Sequence, residues 1–190
     1  MSLILGSQSP RRKELLEGLN IPFKVITPNN VEEIYPKDMP AHQVPVFLAK
    51  LKAEALKKEC DAKDIILTSD TIVCFDNRIF EKPKNHEEAC KMLRELANNT
   101  HEVITGVAIT YGEKQTTFSD VTRVHFGHLT DQEIKHYVDH YKPFDKAGSY
   151  GVQEWIGYIG VTGIEGSYYN VMGLPVTKVY AELKKIMPGI

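Results

Sequence analysis

The sequence predicts a mixed α/β fold, in which a β-sheet is flanked by helices. Short apolar runs rich in β-branched residues, which are typical of strands, alternate along the chain with stretches whose apolar residues recur at helical spacing. A chain of 190 residues that is 42% apolar is long enough to bury one core of its own. We therefore expect a single domain that spans residues 1–190.

The first third of the chain predicts a strand and two helices. Residues 3–5 form an apolar run, and Ser9 and Pro10 then suit the N-cap and the first position of a helix. A second helix is predicted to begin near Pro45, and residues 28–40, which are acidic and rich in turn formers, are predicted to form a loop or lid before it. The predicted apolar side of the second helix consists of Phe47, Leu48, Leu51 and Ala55.

The rest of the chain predicts two strand pairs and further helices, two of which begin with a capping-box pattern. The predicted elements are, in chain order, a strand at residues 65–75 that turns back at Asp76 and Asn77, a helix after Asn85, strands at residues 102–111 and 116–126, a helix after Thr130, a glycine-punctuated strand at residues 156–164 and a last helix at residues 175–186.

The composition argues against several classes of protein. With 23 Lys and Arg residues against 25 Asp and Glu residues, the formal net charge is −2, so the chain as a whole is not expected to bind nucleic acid. No run approaches the roughly 18 apolar residues that cross a bilayer, and the first residues lack a secretion signal. The three cysteines lack C-x-x-C spacing, so neither a disulfide framework nor a zinc site is indicated. We expect a soluble, cytoplasmic protein.

A basic helix start is the first feature that indicates a ligand. Ser7 precedes a predicted first turn that holds three cations, among them Arg11 and Arg12, and each costs about 0.3 to 1 kcal/mol against the positive end of the helix dipole. A bound phosphate would reverse that cost, because backbone N–H groups, hydroxyls and guanidiniums all bind phosphate. The alternative is a solvated basic turn that is paired with Glu14 or Glu17.

Asp70 lies in a segment that otherwise has the composition of a buried strand. Asp is depleted in strands, and a buried carboxylate is costly unless it meets a cation or a metal ion. Asp70 could instead cap a neighbouring turn through Ser69 or Thr71. Otherwise it is a metal ligand or a general base.

Other polar residues are candidates only in combination. Lys52, Lys82 and Glu33 are of residue types that mostly lie on protein surfaces. Gln153 ends segment 145–153, whose small residues would let the backbone approach a ligand, and its amide can both donate and accept at a base edge. A plain glycine-rich strand entry is an equal alternative for this segment.

Six motifs, in this order along the chain, resemble those of the Maf family. They are Ser-Gln-Ser-Pro-Arg-Arg at 7–12, Ser-Asp-Thr-Ile-Val at 69–73, Glu-Lys-Pro at 81–83, Thr-His-Glu-Val-Ile-Thr-Gly-Val at 100–107, Asp-Lys-Ala-Gly-Ser-Tyr-Gly-Val-Gln at 145–153, and Tyr-Tyr-Asn-Val-Met-Gly-Leu-Pro at 168–175. The resemblance implies an elongated, two-lobed, inosine-triphosphatase-like fold with a central cleft. It also implies a homodimeric nucleotide pyrophosphatase that requires a divalent cation, Mg²⁺ or Mn²⁺.

The resemblance further implies a role for each candidate residue. Asp70 would be the acid/base residue and would hold the metal ion together with Glu33. The residues that would handle the phosphates are Ser7, Arg12, Lys52 and Lys82. The residues that match the family members preferring dTTP and UTP are Arg11, Thr71 and Gln153.

Three places depart from the family pattern. Gly6 stands where Ala is usual, and Thr68 stands where Gly is common. Glu154 and Trp155 follow Gln153 where relatives often have Gly.

Two other functions stay open on these residues. A nucleotide-sensing regulator of cell division would bind the same ligand with slow or no turnover. A nucleotidyltransferase also places a Gly-Ser, Arg-rich loop after its first strand. Binding alone requires the cations and a base pocket but no carboxylate near the α-phosphate, so Asp70 favours catalysis.

Overall fold

The computed structural model of the chain describes residues 1–28 and 31–189. Within them, the strands are β1 (Leu3–Leu5), β2 (Phe23–Val25), β3 (Ile65–Phe75), β4 (Arg78–Phe80), β5 (Thr100–Tyr111), β6 (Lys114–Phe126) and β7 (Val161–Glu165). The α-helices are α1 (Pro10–Glu17), α2 (Val44–Leu56), α3 (His86–Leu96), α4 (Asp131–Tyr141), α5 (Trp155–Gly160), α6 (Tyr168–Met172) and α7 (Val176–Ile186). The strand order is β2-β1-β3-β5-β6-β7, and β4 pairs with β3. The predicted mixed α/β fold is confirmed.

The chain divides into two compact units. Unit 1 comprises Met1–Asp70, Thr105–Asp120 and Gly173–Ile190, and unit 2 comprises Thr71–Ile104 and Val121–Met172. Strands β3, β5 and β6 contribute residues to both units.

The core of unit 1 is built on parallel strands. β1 pairs in parallel with β2 and with β3, with Leu3 opposite both Phe23 and Ile65. All three residues of β1 are buried, as expected for a parallel strand that is covered on both faces. Helix α2 begins very close to β5, because a Cβ atom at Gly106 would lie 2.2 Å from the backbone nitrogen of Val46. Only glycine fits at that position.

The buried side of α2 differs from the predicted apolar side. Of the four residues predicted there, only Leu48 is buried, and Phe47, Leu51 and Ala55 are half-buried. The buried residues of α2 are Val44, Pro45, Leu48, Ala49, Lys52, Ala53 and Leu56. Lys52 therefore lies on the core side of the helix.

The predicted loop before α2 is partly described. Residues 29 and 30 of the predicted segment 28–40 lie outside the described residues, and residues 31–40 form neither helix nor strand. In the described parts of the chain, no helix is both long and apolar enough to cross a membrane.

Unit 2 begins with the predicted hairpin and contains two capped helices. Phe75 pairs with Arg78, so the β3–β4 turn consists of Asp76 and Asn77, whose φ angles of 51° and 57° are left-handed. At the start of α4, Thr130 forms the complete predicted capping box. The N-cap residues Asn85 and Thr130 accept the backbone N–H groups of Glu88 and Glu133, respectively.

The predicted strand at residues 156–164 is wrong for its first part and confirmed for its second part. Residues up to Gly160 form helix α5, and only β7 is extended. A Cβ atom at Gly157 would lie 1.8 Å from the carbonyl oxygen of Val152, so this glycine permits the helix to pack directly on the preceding turn. The close packing favours a helix over the strand that the isoleucines of this segment indicate.

Candidate active site

In unit 1, the carboxylate of Asp70 lies in β3 and is bound by Lys52 of α2. The Lys52 ammonium donates to Oδ1 of Asp70 at 2.6 Å, and its Nζ atom lies 3.2 Å from Oε2 of Glu33. Lys52 and Asp70 are both buried, whereas Glu33 is half exposed. Asp70 has extended backbone within β3, so the alternative in which it caps a turn does not apply.

The start of α1 adds hydroxyl and guanidinium groups to the same unit. Ser9 is the N-cap residue, as predicted. The Ser7 hydroxyl accepts from the backbone N–H of Ser9 at 3.2 Å and from Nη1 of Arg12 at 3.4 Å. Nε of Arg12 donates to the carbonyl oxygen of Gly173 at 2.9 Å. Gly173 has a φ angle of 116°, which favours glycine.

The electrostatic surroundings of Arg12 include several of the predicted residues. Burial lowers the pKa of Arg12, the Asp70 carboxylate opposes that shift, the neighbouring Arg11 lowers the pKa further, and Glu33 again raises it. The structure thus brings together Ser7, Arg11, Arg12, Glu33, Lys52 and Asp70.

The alternative of a solvated basic turn applies to Lys13. Lys13 pairs with Glu17 at 3.7 Å, and both side chains are 56% exposed. Arg12 instead makes the partly buried contacts with Ser7 and Gly173 given above.

Asp70 and Glu33 are the carboxylates of unit 1 that could hold a metal ion. Both have an oxygen close to Nζ of Lys52, so the two carboxylates converge. Among the described residues, no group of three or more His, Cys, Asp or Glu side chains is placed to hold a metal ion. Mg²⁺ commonly takes one or two protein carboxylates and completes its shell with water and substrate phosphates. The two carboxylates are therefore of the type that such an ion uses, and both face the Lys52 ammonium in this structure.

The other three predicted residues belong to unit 2. Thr71 follows Asp70 in β3 and is half-buried, and Lys82 is exposed in the loop after β4. Gln153 lies in the turn before α5. Its Oε1 atom is buried and has no hydrogen-bond partner among the residues that the structure describes. A buried acceptor without a hydrogen-bond partner could be satisfied by a donor group of a ligand.

Three of the motifs meet at Gly148 in unit 2. Its backbone N–H donates to the carbonyl oxygen of Glu81 at 3.3 Å, next to Lys82. A Cβ atom at Gly148 would lie 2.9 Å from Cγ2 of Val73, and its φ angle is 68°. The glycine-containing segment 145–153 is therefore a closely packed loop rather than the entry to a strand.

His101 of β5 holds the same loop through Tyr150. Nε2 of His101 and the Tyr150 hydroxyl are 2.7 Å apart, and both residues are buried. The rings of His101, Tyr150 and Phe126 contact each other edge to face. Burial, with a smaller contribution from His125, lowers the pKa of His101 to about 4, so the imidazole is neutral at neutral pH.

Several residues that contact the predicted site segments were not predicted from the sequence. Tyr137 of α4 donates to the carboxylate of Glu154, which also lies 3.2 Å from Nζ of Lys146. The departure of Glu154 from the family pattern was the signal that could have drawn attention to it. Gly173 stood in the sixth motif, but its contact with Arg12 is 161 residues distant in sequence.

Solved structures with the same fold confirm the architecture. The Ham1 protein of Staphylococcus aureus superposes with a TM-score of 0.54, with 97% of this chain and 99% of that chain covered at 14% sequence identity. A HAM1 protein from Coxiella burnetii superposes with a TM-score of 0.51, with 96% and 99% covered at 15% identity. At these identities the likeness concerns the fold alone.

Sequence relatives are much more similar. A protein of Phocaeicola vulgatus named dTTP/UTP pyrophosphatase is 52% identical over 184 residues, which are 97% of this chain and 95% of the relative. A protein of the same name from Porphyromonas gingivalis is 50% identical, with 96% and 92% covered. The family model described as Maf-like protein matches residues 2–186. The chain therefore belongs to the Maf-like protein family.

Proposed function

We propose that this chain hydrolyses nucleoside triphosphates, with dTTP and UTP as preferred substrates, to the nucleoside monophosphate and pyrophosphate. Relatives at 50% and 52% identity that bear the name dTTP/UTP pyrophosphatase support this function. The geometric observation that carries it is a buried carboxylate, Asp70, which is held by Lys52 and lies in the electrostatic neighbourhood of Arg12. Cations suit a triphosphate, and a carboxylate suits the activation of water.

Each of the side chains Asp70, Lys52 and Arg12 of unit 1 would have a role in the reaction. A water molecule attacks the α-phosphorus, the bond from this phosphorus to the bridging oxygen breaks, and pyrophosphate leaves. Asp70 would accept the proton of the attacking water, while Lys52 holds its carboxylate in place. Arg12 and Lys52 would balance the charge of the triphosphate, as would Lys82 of unit 2.

We also propose a divalent cation, Mg²⁺ or Mn²⁺, as cofactor. Asp70 and Glu33 would hold it, because carboxylate oxygens are the ligands that these ions prefer. When bound, the ion would supply further charge neutralisation on the phosphate oxygens and on the leaving pyrophosphate.

Gln153 of unit 2 would select the base. Its amide can accept from the ring N–H of uracil or thymine and donate to a carbonyl oxygen of the same base, whereas a glutamate could only accept. The buried, unpartnered Oε1 atom is consistent with an acceptor that a base would satisfy. A base that cannot do so leaves it unpaired, at a cost of about 1 to 3 kcal/mol. Arg11 and Thr71 are assigned to substrate binding with it.

A substrate panel tests this function. The panel contains dTTP, UTP, CTP, ATP and GTP with Mg²⁺ or Mn²⁺, and pyrophosphate and orthophosphate are measured separately. We expect pyrophosphate release, and kcat/KM values for dTTP and UTP that exceed those for ATP and GTP. Gln153→Glu should narrow this gap chiefly by lowering the pyrimidine values, whereas the control Gln132→Glu, at an exposed position of α4, should leave it unchanged.

Other results would contradict the proposal in distinct ways. Release of orthophosphate would place the cleavage elsewhere on the triphosphate. Binding without turnover would favour a nucleotide-sensing regulator, and a requirement for an acceptor would favour a nucleotidyltransferase. Equal use of all bases would remove Gln153 from base selection.

The oligomeric state and the location of the protein can be proposed as well. We propose a cytoplasmic homodimer that acts on free nucleotides, including modified pyrimidine nucleotides, and binds neither nucleic acid nor a membrane. Light scattering should give twice the 21.5 kDa mass of one chain. A mass of one chain at micromolar concentration would contradict the dimer.

A further inference from the structure

Gln153 lies in a tight turn whose two ends contact the same hydroxyl group. The turn closes through a hydrogen bond from the backbone N–H of Glu154 to the carbonyl oxygen of Gly151 at 3.0 Å. At one end, the N–H of Gly151 donates to the Tyr137 hydroxyl oxygen at 3.0 Å. At the other end, the Tyr137 hydroxyl donates to Oε2 of Glu154. Tyr137 therefore accepts from one end of the turn and donates to the other.

Burial and charge make this arrangement hard to rearrange. Tyr137 is fully buried, and burial together with the hydrogen bond to Glu154 raises its pKa, so the hydroxyl keeps its proton. Oε1 of Glu154 lies 3.2 Å from Nζ of Lys146, whose side chain is only 9% exposed. Nζ of Lys146 also lies 2.8 Å from Oδ1 of Asp145, so two carboxylates share the buried ammonium, and its contact with Oε1 helps to orient Glu154 toward Tyr137.

Packing adds a steric constraint to the hydrogen bonds. A Cβ atom at Gly151 would lie 2.8 Å from Cδ of Glu154, so the glutamate side chain folds back over the glycine at the opposite end of the turn. The backbone between Gly151 and Glu154 has little freedom as a result. Oε1 of Gln153 has no hydrogen-bond partner of its own among the described residues, so no such bond holds the atom, and its place depends on the turn from which the side chain extends.

We propose that Tyr137 and Glu154 are positioning residues that set base selectivity by fixing the turn that carries Gln153. This inference rests on the proposed function, because it assigns Gln153 to the base.

Two variants test the proposal by kinetics. Tyr137→Phe removes the hydroxyl and keeps the ring, and Glu154→Ala removes the carboxylate and leaves Tyr137 in place. In each variant we expect the ratio of kcat/KM for UTP to that for ATP to fall at least about tenfold, mainly through a higher KM for UTP with little change in kcat. The control is Tyr141→Phe, which alters the exposed tyrosine that stacks on Tyr137, and it should keep the ratio.

A binding measurement separates this proposal from the proposed function. Trp155 follows Glu154 and is the single tryptophan of the chain, so its fluorescence reports on the turn. Titration with UMP, which needs no turnover, should show affinity at least about tenfold weaker in Tyr137→Phe and Glu154→Ala than in the unaltered protein, and unchanged in Tyr141→Phe.

The outcomes are distinct. If the unaltered protein does not hydrolyse UTP, the proposed function fails, and the UMP titration still reports on the turn. If either folded variant keeps both the selectivity ratio and the UMP affinity of the unaltered protein, the positioning role is overturned. Glu154→Gln keeps an acceptor for the Tyr137 hydroxyl and should therefore retain most of the base selectivity. If Glu154→Gln lost as much selectivity as Glu154→Ala, the positioning role would also be contradicted.

Discussion

At the scale of single residues, burial constrains the ion pair of Lys52 and Asp70. Its two atoms are 2.6 Å apart, and the side chains are only 11% and 12% exposed. Either charge alone in this position would be costly, because desolvation is not offset without the partner. A substitution that probes the chemistry of Asp70 must therefore keep an acceptor for Lys52.

Asp70→Asn meets that requirement, because its amide oxygen can still accept from Lys52. We expect turnover of dTTP to fall by at least about 100-fold, the usual scale for the loss of an acid/base group, with nucleotide binding still measurable. Single-turnover kinetics and calorimetric titration check the two parts. The control is Asp120→Asn, which alters another carboxylate of unit 1 that pairs with a lysine, Lys178 at 2.6 Å. Near-normal turnover in Asp70→Asn would remove Asp70 from the chemistry.

Gly6 and Thr68, which both depart from the expected family pattern, lie close to each other in the structure. A Cβ atom at Gly6 would lie 2.7 Å from Cγ2 of Thr68 and 2.4 Å from Cδ1 of Leu56. The Thr68 methyl group thus occupies space that an alanine at position 6 would need. The Thr68 hydroxyl is bound to the carbonyl oxygen of Ala49 at 2.7 Å, so this side chain cannot simply turn away.

A double-mutant cycle tests this coupling. Gly6→Ala alone should destabilise the protein by about 1 to 3 kcal/mol through overpacking. In the Thr68→Ser background, which keeps the hydroxyl and removes the methyl group, the same change should cost at least about 0.5 kcal/mol less. Urea unfolding measures both. Gly18→Ala, where the nearest atom is 3.4 Å from the added Cβ, is the control, and additive effects at Gly6 and Thr68 would contradict the coupling.

At the scale of elements, much of the fold could be predicted from local patterns. β3 was predicted at its observed bounds because a long β-branched run and an Asp-Asn turn both act locally. The starts of α1 and α4 were also predicted, because their N-caps are local hydrogen bonds. These predictions, which rest on a few neighbouring residues, were confirmed.

The incorrect predictions have causes that local propensity does not include. Helix α5 replaces a predicted strand because Gly157 packs on Val152. Secondary-structure propensities of single residues do not include such a contact. The core side of α2 includes Lys52 because Asp70 of β3 offsets its charge. The spacing of Lys52, four residues from both Leu48 and Leu56, was a usable signal, but a lysine was assigned to the surface by type. The contacts of Glu154 and Gly173 join residues that are far apart in sequence. Their neighbours in the sequence gave no signal for these contacts as strong as the spacing of Lys52.

Strand β5 carries a titratable group that links the stability of unit 2 to pH. The folded-state pKa of His101 is about 4, below its ordinary 6.5, so the folded protein favours the neutral imidazole. This contribution to the free energy of unfolding is fully present above about pH 6.5 and is lost as the pH falls from about 6.5 to about 4. The total is on the order of 3 kcal/mol.

Unfolding in urea at about pH 7 and about pH 4.5 measures this contribution. We expect His101→Gln to lose part of the pH dependence that the unaltered protein has between these values, because the group that titrates is absent. The exposed His42 provides the control, and His42→Gln should keep the full dependence. An unchanged dependence in His101→Gln would mean that His101 does not titrate in this interval.

At the scale of the whole molecule, the near balance of charge contrasts with the local cluster of cations in unit 1. A formal net charge of −2 gives no general attraction to a polyanion. We expect no binding of a labelled DNA duplex at physiological salt up to about 10⁻⁴ M protein, the weak end of nonspecific binding. Fluorescence anisotropy checks this. Saturable binding that weakens steeply with salt would contradict the expectation.

The contact between Arg12 and Gly173 has a consequence for the order in which the molecule is completed during synthesis. The two residues are 161 positions apart, and Gly173 opens the last segment of unit 1. The residues of unit 2 end at Met172, so all of them are synthesised before that segment. Unit 1 starts first on the ribosome and is finished last. A nascent chain therefore carries Arg12 without the Gly173 carbonyl, and we expect Ser7 and Arg12, which we propose to bind phosphate, to be ordered only after α7 has emerged.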